Sequence, residues 1–217
     1  MIFRDRSDAG RTLAARLTQY GGRNDVLVLA LPRGGVPVGY EIARALHLPL
    51  DLFVVRKLGT PGQPELAMGA IASGGVLVVN RDVVDALGIP DYLVRQAAET
   101  EQQELARRER QYRGERPPLE VHGRTVILVD DGLATGSTMR AAAAALRRME
   151  AARIVVAVPV AAPQTCEQLR AEVDELICAA TPEPFLAVGQ WYRDFSQTTD
   201  DEVRELLERA ANQRHVA

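Results

Sequence analysis

Two adjacent carboxylates, Asp130 and Asp131, stand between an apolar run, Val126-Ile127-Leu128-Val129, and a turn of small residues, Ala134-Thr135-Gly136-Ser137-Thr138. A turn of that composition leaves successive backbone N–H groups uncovered. A helix beginning there adds up to four unpaired donors and about half a positive charge from its dipole. Thr135, Ser137 and Thr138 contribute hydroxyls, so the turn is fit to cradle a phosphate. No Lys follows in the GxxxxGK arrangement, which excludes the Walker type of phosphate loop. Carboxylates this close would repel a phosphate unless they face something else, and two acceptors suit a diol or a bound cation. Phosphate on one side and a hydroxylated ring on the other describe a ribose 5-phosphate. The plainer alternative is that the acids only end a strand and cap the turn.

The flanking pattern names the elements that must hold these groups. Residues 124–130 read as a fully buried strand, and residues 137–149, rich in Ala and Leu, as a helix. Ligands of open α/β sheets bind at such a strand end, against a helix N-terminus. The same alternation runs along the chain, with strands expected over 26–31, 50–55, 153–160 and 175–180. Helices are expected over 5–20, 36–46, 163–171 and 200–211, the third begun by Pro163. Ser73-Gly74-Gly75 between 67–72 and 76–79 signals a hairpin, and 82–87 reads as a short helix. Residues 91–113 form a long polar helix whose Tyr92, Ala98, Leu105 and Tyr112 are too sparse for a core helix, so it is expected to lie across the domain as an arm. Thr60 to Glu65, rich in Pro and Gly, reads as an exposed, mobile loop. The sum is an α/β fold: an open, mainly parallel five-stranded sheet with helices on both faces, plus a side hairpin.

Composition narrows the class further. The chain has 217 residues, 47% hydrophobic and 25% charged, ordinary for a soluble globular protein and long enough for one good-sized α/β domain or two small ones. Its net charge of −3 gives no support for a general nucleic-acid or membrane-surface binder. Arg107, Arg108, Arg110 and Arg113 cluster, but Glu101, Glu104, Glu109 and Glu115 interleave with them as on a solvated helix face. Cys166 and Cys178 lack metal-ligand spacing. Met1 to Arg6 lacks the apolar core of a signal peptide, and no apolar run approaches the ~18–20 residues that span a bilayer. A cytoplasmic setting is the expectation. His47, His122 and His215 flank no Ser or Cys in a triad-like context and receive no role.

Residues Val126–Met139 resemble the phosphoribosyl-diphosphate (PRPP) binding motif of type I phosphoribosyltransferases: apolar strand, two acids, then Thr-Gly-x-Thr. Leu31-Pro32-Arg33-Gly34-Gly35 falls where that family has its pyrophosphate loop, and Val54-Val55-Arg56-Lys57-Leu58-Gly59 looks like the basic strand end leading into its flexible catalytic loop. The resemblance implies a core over about 25–180, a helical insert over about 81–118 and a hood from 1–20 and 181–217, within one domain spanning 1–217. It implies that Asp130 and Asp131 bind the ribose hydroxyls and that Gly132 and Ala134, Thr135, Gly136, Ser137 and Thr138 hold the 5′-phosphate. Arg33, Gly34 and Lys57 would hold the pyrophosphate, Gly35 and Arg56 would also bind PRPP, and Mg²⁺ would bridge the pyrophosphate and the ribose oxygens, with Asp130 and Asp131 as candidate partners. Arg33, Lys57, Asp130 and Asp131 would carry catalysis. A strained, often cis, peptide is expected at Arg33–Gly34, and homodimers are common in the family.

The implied activity is transfer of ribose 5-phosphate to a nucleobase or similar heterocycle. Ala134 departs from enzymes for 6-oxopurines, which carry an acid there; Leu133-Ala134-Thr135-Gly136 looks closer to adenine enzymes, although the long helix and the hood do not. Trp191, Tyr192 and Phe195 are candidates to stack on a planar acceptor, or else pack the C-terminal helix. Glu65 could act as a base from the mobile loop, or be merely solvated. A regulatory protein that binds PRPP or a nucleotide without turnover is the alternative. A nucleotide-cofactor oxidoreductase is disfavoured, because Gly34-Gly35 lacks the GxGxxG spacing and only Asp51 offers the downstream acid.

Overall fold

A computed structural model describes residues 2–214; His215 lies outside the described residues. Strands β1 (Val26–Ala30), β2 (Leu50–Leu52), β6 (Thr125–Val129), β7 (Arg153–Val160) and β8 (Glu175–Ala180) form a parallel sheet in the order β2-β1-β6-β7-β8. The central strands are apolar at every position because each face is covered. Val26, Val28, Ile127, Val129, Val155 and Ala157 pack under α1 (Arg6–Ala14), α2 (Gly35–Leu46) and α7 (Asp200–Arg214). Leu27, Leu29, Val126, Leu128, Ile154 and Val156 alternate with them and meet α5 (Ser137–Arg148) and α6 (Pro163–Arg170). This is the expected open α/β sheet.

Two expectations fail between residues 50 and 65. The single strand over 50–55 breaks after Leu52, and β3 (Val55–Thr60) leaves the parallel sheet to pair antiparallel with β4 (Gln63–Ala72), which in turn pairs with β5 (Val76–Val79). The side hairpin is therefore a three-stranded sheet. Thr60 to Glu65 is not a free loop but the tip of the β3–β4 hairpin. Gly62 turns the chain at φ +80°, and the Thr60 hydroxyl donates to the Gln63 carbonyl at 2.8 Å. Gly59 admits the close approach of Pro64, whose carbonyl oxygen would lie 2.7 Å from any Cβ there. Pro61, Gly62 and Pro64 resemble loop composition, yet they serve a turn and an irregular edge, where proline is tolerated. Glu65 sits exposed on β4.

The long helix α4 (Asp91–Arg113) is tied down more firmly than its composition suggests. Val94, Ala98 and Leu105 share a small core with Val54, with Leu58, Met68 and Ile71 of the second sheet and with Val84 of α3 (Arg81–Ala86). Tyr92 is exposed, and Val94 takes its place in the buried stripe. Near its C-terminus Arg113 donates Nε and Nη2 to the two carboxylate oxygens of Asp51, both at 2.9 Å, with the pair 10% and 16% exposed. Asp51 is thus committed to a structural fork and cannot serve the nucleotide-cofactor reading. Because the pair is bidentate and mostly buried, Arg113→Ala should destabilise the fold by about 1.5–3 kcal/mol. Urea unfolding would check this, and a loss below about 0.5 kcal/mol would contradict the brace.

Candidate active site

The site lies at the C-terminal end of β6. Beyond Val129 the chain passes Asp130 and Asp131, and Leu133 then stitches it to β7. The Leu133 N–H donates to the Val160 carbonyl at 2.9 Å, and the Leu133 carbonyl accepts from Ala162 N–H at 3.0 Å. Gly136 lies in the left-handed region at φ +68°, and the Thr165 methyl of α6 would be 2.6 Å from any Cβ there. The Thr165 hydroxyl also donates to the Ala134 carbonyl at 2.5 Å. The turn is therefore held from behind by α6, while its hydroxyls and the first N–H groups of α5 face outward. The Thr135 and Ser137 hydroxyl oxygens are 3.3 Å apart. An anion would find donors already arranged.

A second loop presses on the acids. The Leu31 N–H donates to the Val129 carbonyl at 2.9 Å, carrying Pro32-Arg33-Gly34-Gly35 across the end of β6. A Cβ on Gly35 would come within 2.7 Å of the Val129 carbonyl oxygen, and one on Gly34 within 2.0 Å of Asp131 Oδ2. Glycine is required at both positions by close approach rather than by dihedral angle. The non-proline cis peptide is Pro32–Arg33, one bond earlier than expected.

Electrostatics make the pair unusual. Burial pushes the Asp130 carboxyl well above the ordinary carboxylate range, and the neighbouring charge of Asp131 adds to it. Burial also raises Asp131, against the opposing pull of Arg6, whose Nε donates to Oδ2 at 2.8 Å. The side chains of Arg6 and Asp131 are 11% and 15% exposed. Arg6 Nη1 donates to the Ser196 carbonyl at 2.7 Å, and its guanidinium lies 4.0 Å from the centre of the Phe195 ring.

The remaining candidates divide. Arg56 and Lys57 are successive in β3, so they face opposite sides of the second sheet. Lys57 lines a groove of about 400 Å³ with Ser137 and Arg140, beside the 134–138 turn. Arg56 Nε donates to Glu101 on α4 at 2.7 Å and does not join that groove. Arg33 Nη1 stands 3.6 Å from Asp200 Oδ1, which also accepts from the Tyr112 hydroxyl at 2.7 Å. Of the aromatics, Tyr192 is buried between Phe3 and Phe195, at centroid distances of 5.6 and 5.0 Å, and its hydroxyl donates to the Asp131 carbonyl at 2.6 Å. Its ring fastens the hood. Phe195 keeps partial exposure, and the sealed indole N–H of Trp191 finds no partner among the described residues.

Sequence reasoning missed Arg6, Phe3, Thr165 and Val188. Arg6 is separated from Asp131 by 125 residues, and nothing local marks it. Only the pairing of chain ends exposes it: Phe3 N–H donates to the Trp191 carbonyl at 2.8 Å and Arg193 N–H to the Phe3 carbonyl at 2.9 Å. Val188 was equally silent; its methyls sit where a Cβ on Gly132 would be.

A strand-end acid pair, a phosphate-ready turn and a glycine loop, assembled on a five-stranded parallel sheet, set this fold apart from the cofactor-binding one. Residues 3–188 match the phosphoribosyl transferase domain, and the chain belongs to that family. Two Mycobacterium tuberculosis proteins, "Putative phosphoribosyl transferase Rv0571c" (strain H37Rv) and "Putative phosphoribosyl transferase MT0597" (strain CDC 1551), are each 49% identical to it over 210 residues, or 96% of the chain. The chain spans about half the length of these curated relatives, 47% in each case. The crystal structure of the Thermus thermophilus protein TT1426 is 42% identical and superposes with a TM-score of 0.86, covering 95% of this chain and 98% of that one.

The contact between Gly34 and Asp131 makes a direct expectation. Gly34→Ala should cost about 1–3 kcal/mol of stability, because a carboxylate fixed by Arg6 has little room to retreat. In an Asp131→Ala background the same change should cost much less, as read by a double-mutant cycle in chemical denaturation. Equal costs in both backgrounds would refute the contact.

Proposed function

We propose that the chain is a Mg²⁺-dependent phosphoribosyltransferase, moving the ribose 5-phosphate of PRPP to a nucleobase or similar heterocycle with release of pyrophosphate. The observation that carries this reading is the juxtaposition at one strand end: the Asp130–Asp131 pair, the 134–138 turn and the Gly34-Gly35 loop. In this reading the turn takes the 5′-phosphate, the two acids take the ribose hydroxyls, and Arg33, Gly34, Gly35 and Lys57 take the pyrophosphate.

The roles follow from the chemistry. The C1–O bond to pyrophosphate breaks as an acceptor nitrogen closes on C1, through an oxocarbenium-like state, so catalysis is mainly stabilisation of the leaving group. Lys57 and Arg140 beside the turn and Arg33 at the glycine loop are cations that could serve it. Among the described residues Arg33 is held by an exposed pair with Asp200, which costs little to exchange for a phosphate oxygen. The donor set also bears on Mg²⁺. No group of three or more His, Cys, Asp or Glu that could hold a metal forms among the described residues. Two carboxylates suit a hard cation held largely by substrate phosphates, so Asp130 and Asp131 would hold it together with PRPP. Bound there, it would neutralise charge on the departing pyrophosphate.

The alternative, a protein that binds PRPP or a nucleotide without turnover, draws on one observation. Asp131, Arg33 and Arg56 are each engaged by protein partners: Arg6, Asp200 and Glu101. No helix among the described residues is long and apolar enough to cross a membrane; a cytoplasmic place, a role in nucleotide salvage and homodimer formation belong to the proposal. Incubation with PRPP, Mg²⁺ and a panel of bases should release pyrophosphate. Asp130→Asn and Asp131→Asn should each slow it by about 100-fold or more. PRPP binding by calorimetry without release in any base would favour the regulatory reading, and no PRPP binding would refute both.

A further inference from the structure

Three carbonyls around the 134–138 turn are held by protein donors, and those anchors decide where the far ends of the same peptides point. The Leu133 carbonyl accepts from Ala162 N–H at 3.0 Å, the Ala134 carbonyl from the Thr165 hydroxyl at 2.5 Å, and the Gly136 carbonyl from Arg140 N–H at 2.9 Å. The peptides of this stretch are trans, so each C=O and the N–H of the next residue lie on opposite sides of one rigid plane. Drawing the carbonyls toward α6 and down α5 therefore turns the N–H groups of Ala134, Thr135 and Ser137 away from those anchors. Among the described residues the N–H groups of Ala134, Thr135 and Gly136 donate to no backbone acceptor.

Two of the three anchors are main chain. The third is a single side chain. Thr165 sits in the first turn of α6, 8% exposed, 31 residues along the chain from the carbonyl it holds and outside the strand-end motif. A helical threonine can return its hydroxyl to a carbonyl one turn back; this one leaves its helix instead. Its methyl lies 2.6 Å from where a Cβ on Gly136 would stand, behind the left-handed residue that curls neighbouring N–H groups into a concave nest. One buried side chain thus fixes two successive parts of the turn from behind.

We infer that Thr165 is a positioning residue for the sugar-phosphate end of the substrate: by holding the Ala134 carbonyl it aims the Thr135 N–H at the phosphate before the ligand arrives. The inference rests on the phosphoribosyltransferase reading, in which the turn takes the 5′-phosphate. Thr165 touches no substrate and acts through the turn. Substitutions separate the two halves of its side chain. Thr165→Val keeps the shape but sets a methyl against the Ala134 carbonyl, where it can neither donate nor approach as closely. Thr165→Ala leaves that carbonyl without its donor and without a clash. Thr165→Ser keeps the donor and loses the methyl.

The test is calorimetry on the full chain with ribose 5-phosphate and with Mg²⁺–pyrophosphate, one probe for each end of PRPP, after urea unfolding has shown each variant to be folded. Thr165→Val and Thr165→Ala should each weaken ribose 5-phosphate by about tenfold or more, the size of one lost hydrogen bond to a charged group, and leave pyrophosphate within about threefold. Thr165→Ser should stay within about threefold of the parent for both probes. In turnover, KM for PRPP should rise while kcat changes by less than about threefold, because the lost contact is made in ground and transition states alike. If Thr165→Val does not fold, Thr165→Ala against Thr165→Ser carries the comparison. Equal weakening of both probes marks general loosening and would overturn the inference. So would hydroxyl-free variants that bind ribose 5-phosphate like the parent, or a serine variant as weak as the alanine one. Ribose 5-phosphate binding that depends on Thr165, without pyrophosphate release from PRPP in any base, would leave the inference standing and overturn the transferase reading. Failure of the parent to bind either ribose 5-phosphate or PRPP would overturn both.

Discussion

Two adjacent carboxylates in a low-dielectric environment are an expensive arrangement, and the surroundings of this site are organised around making it tolerable. A buried carboxylate is favoured only where hydrogen bonds and opposite charge replace lost water. Asp130 receives the Asp131 N–H, and Asp131 receives the Arg6 guanidinium. That second partner comes from the first turn of α1 and draws the start of the chain onto the end of β6. Once there, Arg6 also binds Ser196 and lies on Phe195, so the far C-terminal segment is recruited by the same cation.

The hood is therefore more than a cover. Phe3, Tyr192 and Phe195 form a contiguous aromatic stack, and the Tyr192 hydroxyl reaches back to the Asp131 carbonyl. Apolar packing supplies the adhesion, and the polar contacts supply register. On the opposite flank α4 performs a comparable task by different means. A sparse stripe of Val94, Ala98 and Leu105 secures it to the second sheet, and its last turn forks onto Asp51. Its Tyr112 and Gln111 then meet Asp200 at the start of α7, the residue that also faces Arg33. Both flanks thus end at a charged residue of the site.

How much of this was legible depended on sequence distance. β1, β6 and β7 were readable because burial on both faces leaves unbroken apolar runs, and the 134–138 turn because small residues and hydroxyls signal uncovered donors locally. The break after Leu52 was not readable. Leu50 to Val55 is apolar apart from Asp51 and ends in β-prone Phe53, Val54 and Val55, and only pairing with β4 shows that Val55 belongs to another sheet. Pro61, Gly62 and Pro64 argued for a loop, whereas they turn a hairpin whose ladder tolerates them through a register shift. Arg56 and Lys57 were read as one basic feature, and strand alternation separates them. The Arg6–Asp131 pair was beyond reach, since ion pairs between distant segments leave no periodic mark.

A strong ion pair on Asp131 is at first sight an obstacle to the proposed sugar binding, and the count of carboxylate oxygens resolves it. Arg33 can leave Asp200 cheaply, because that pair is long and exposed, whereas removing Arg6 from Asp131 would strand a mostly buried charge. In the proposed reading the diol would then bind with Arg6 in place. On Asp131, Oδ2 is taken by Arg6 Nε, and on Asp130, Oδ1 is taken by Asp131 N–H. Among the described residues one carboxylate oxygen on each acid remains without a protein donor, and a ribose presents two hydroxyls. Arg6 therefore need not compete with the sugar. By lying against Asp131 and fixing its orientation before substrate arrives, it would move the cost of burying the acids from binding to folding.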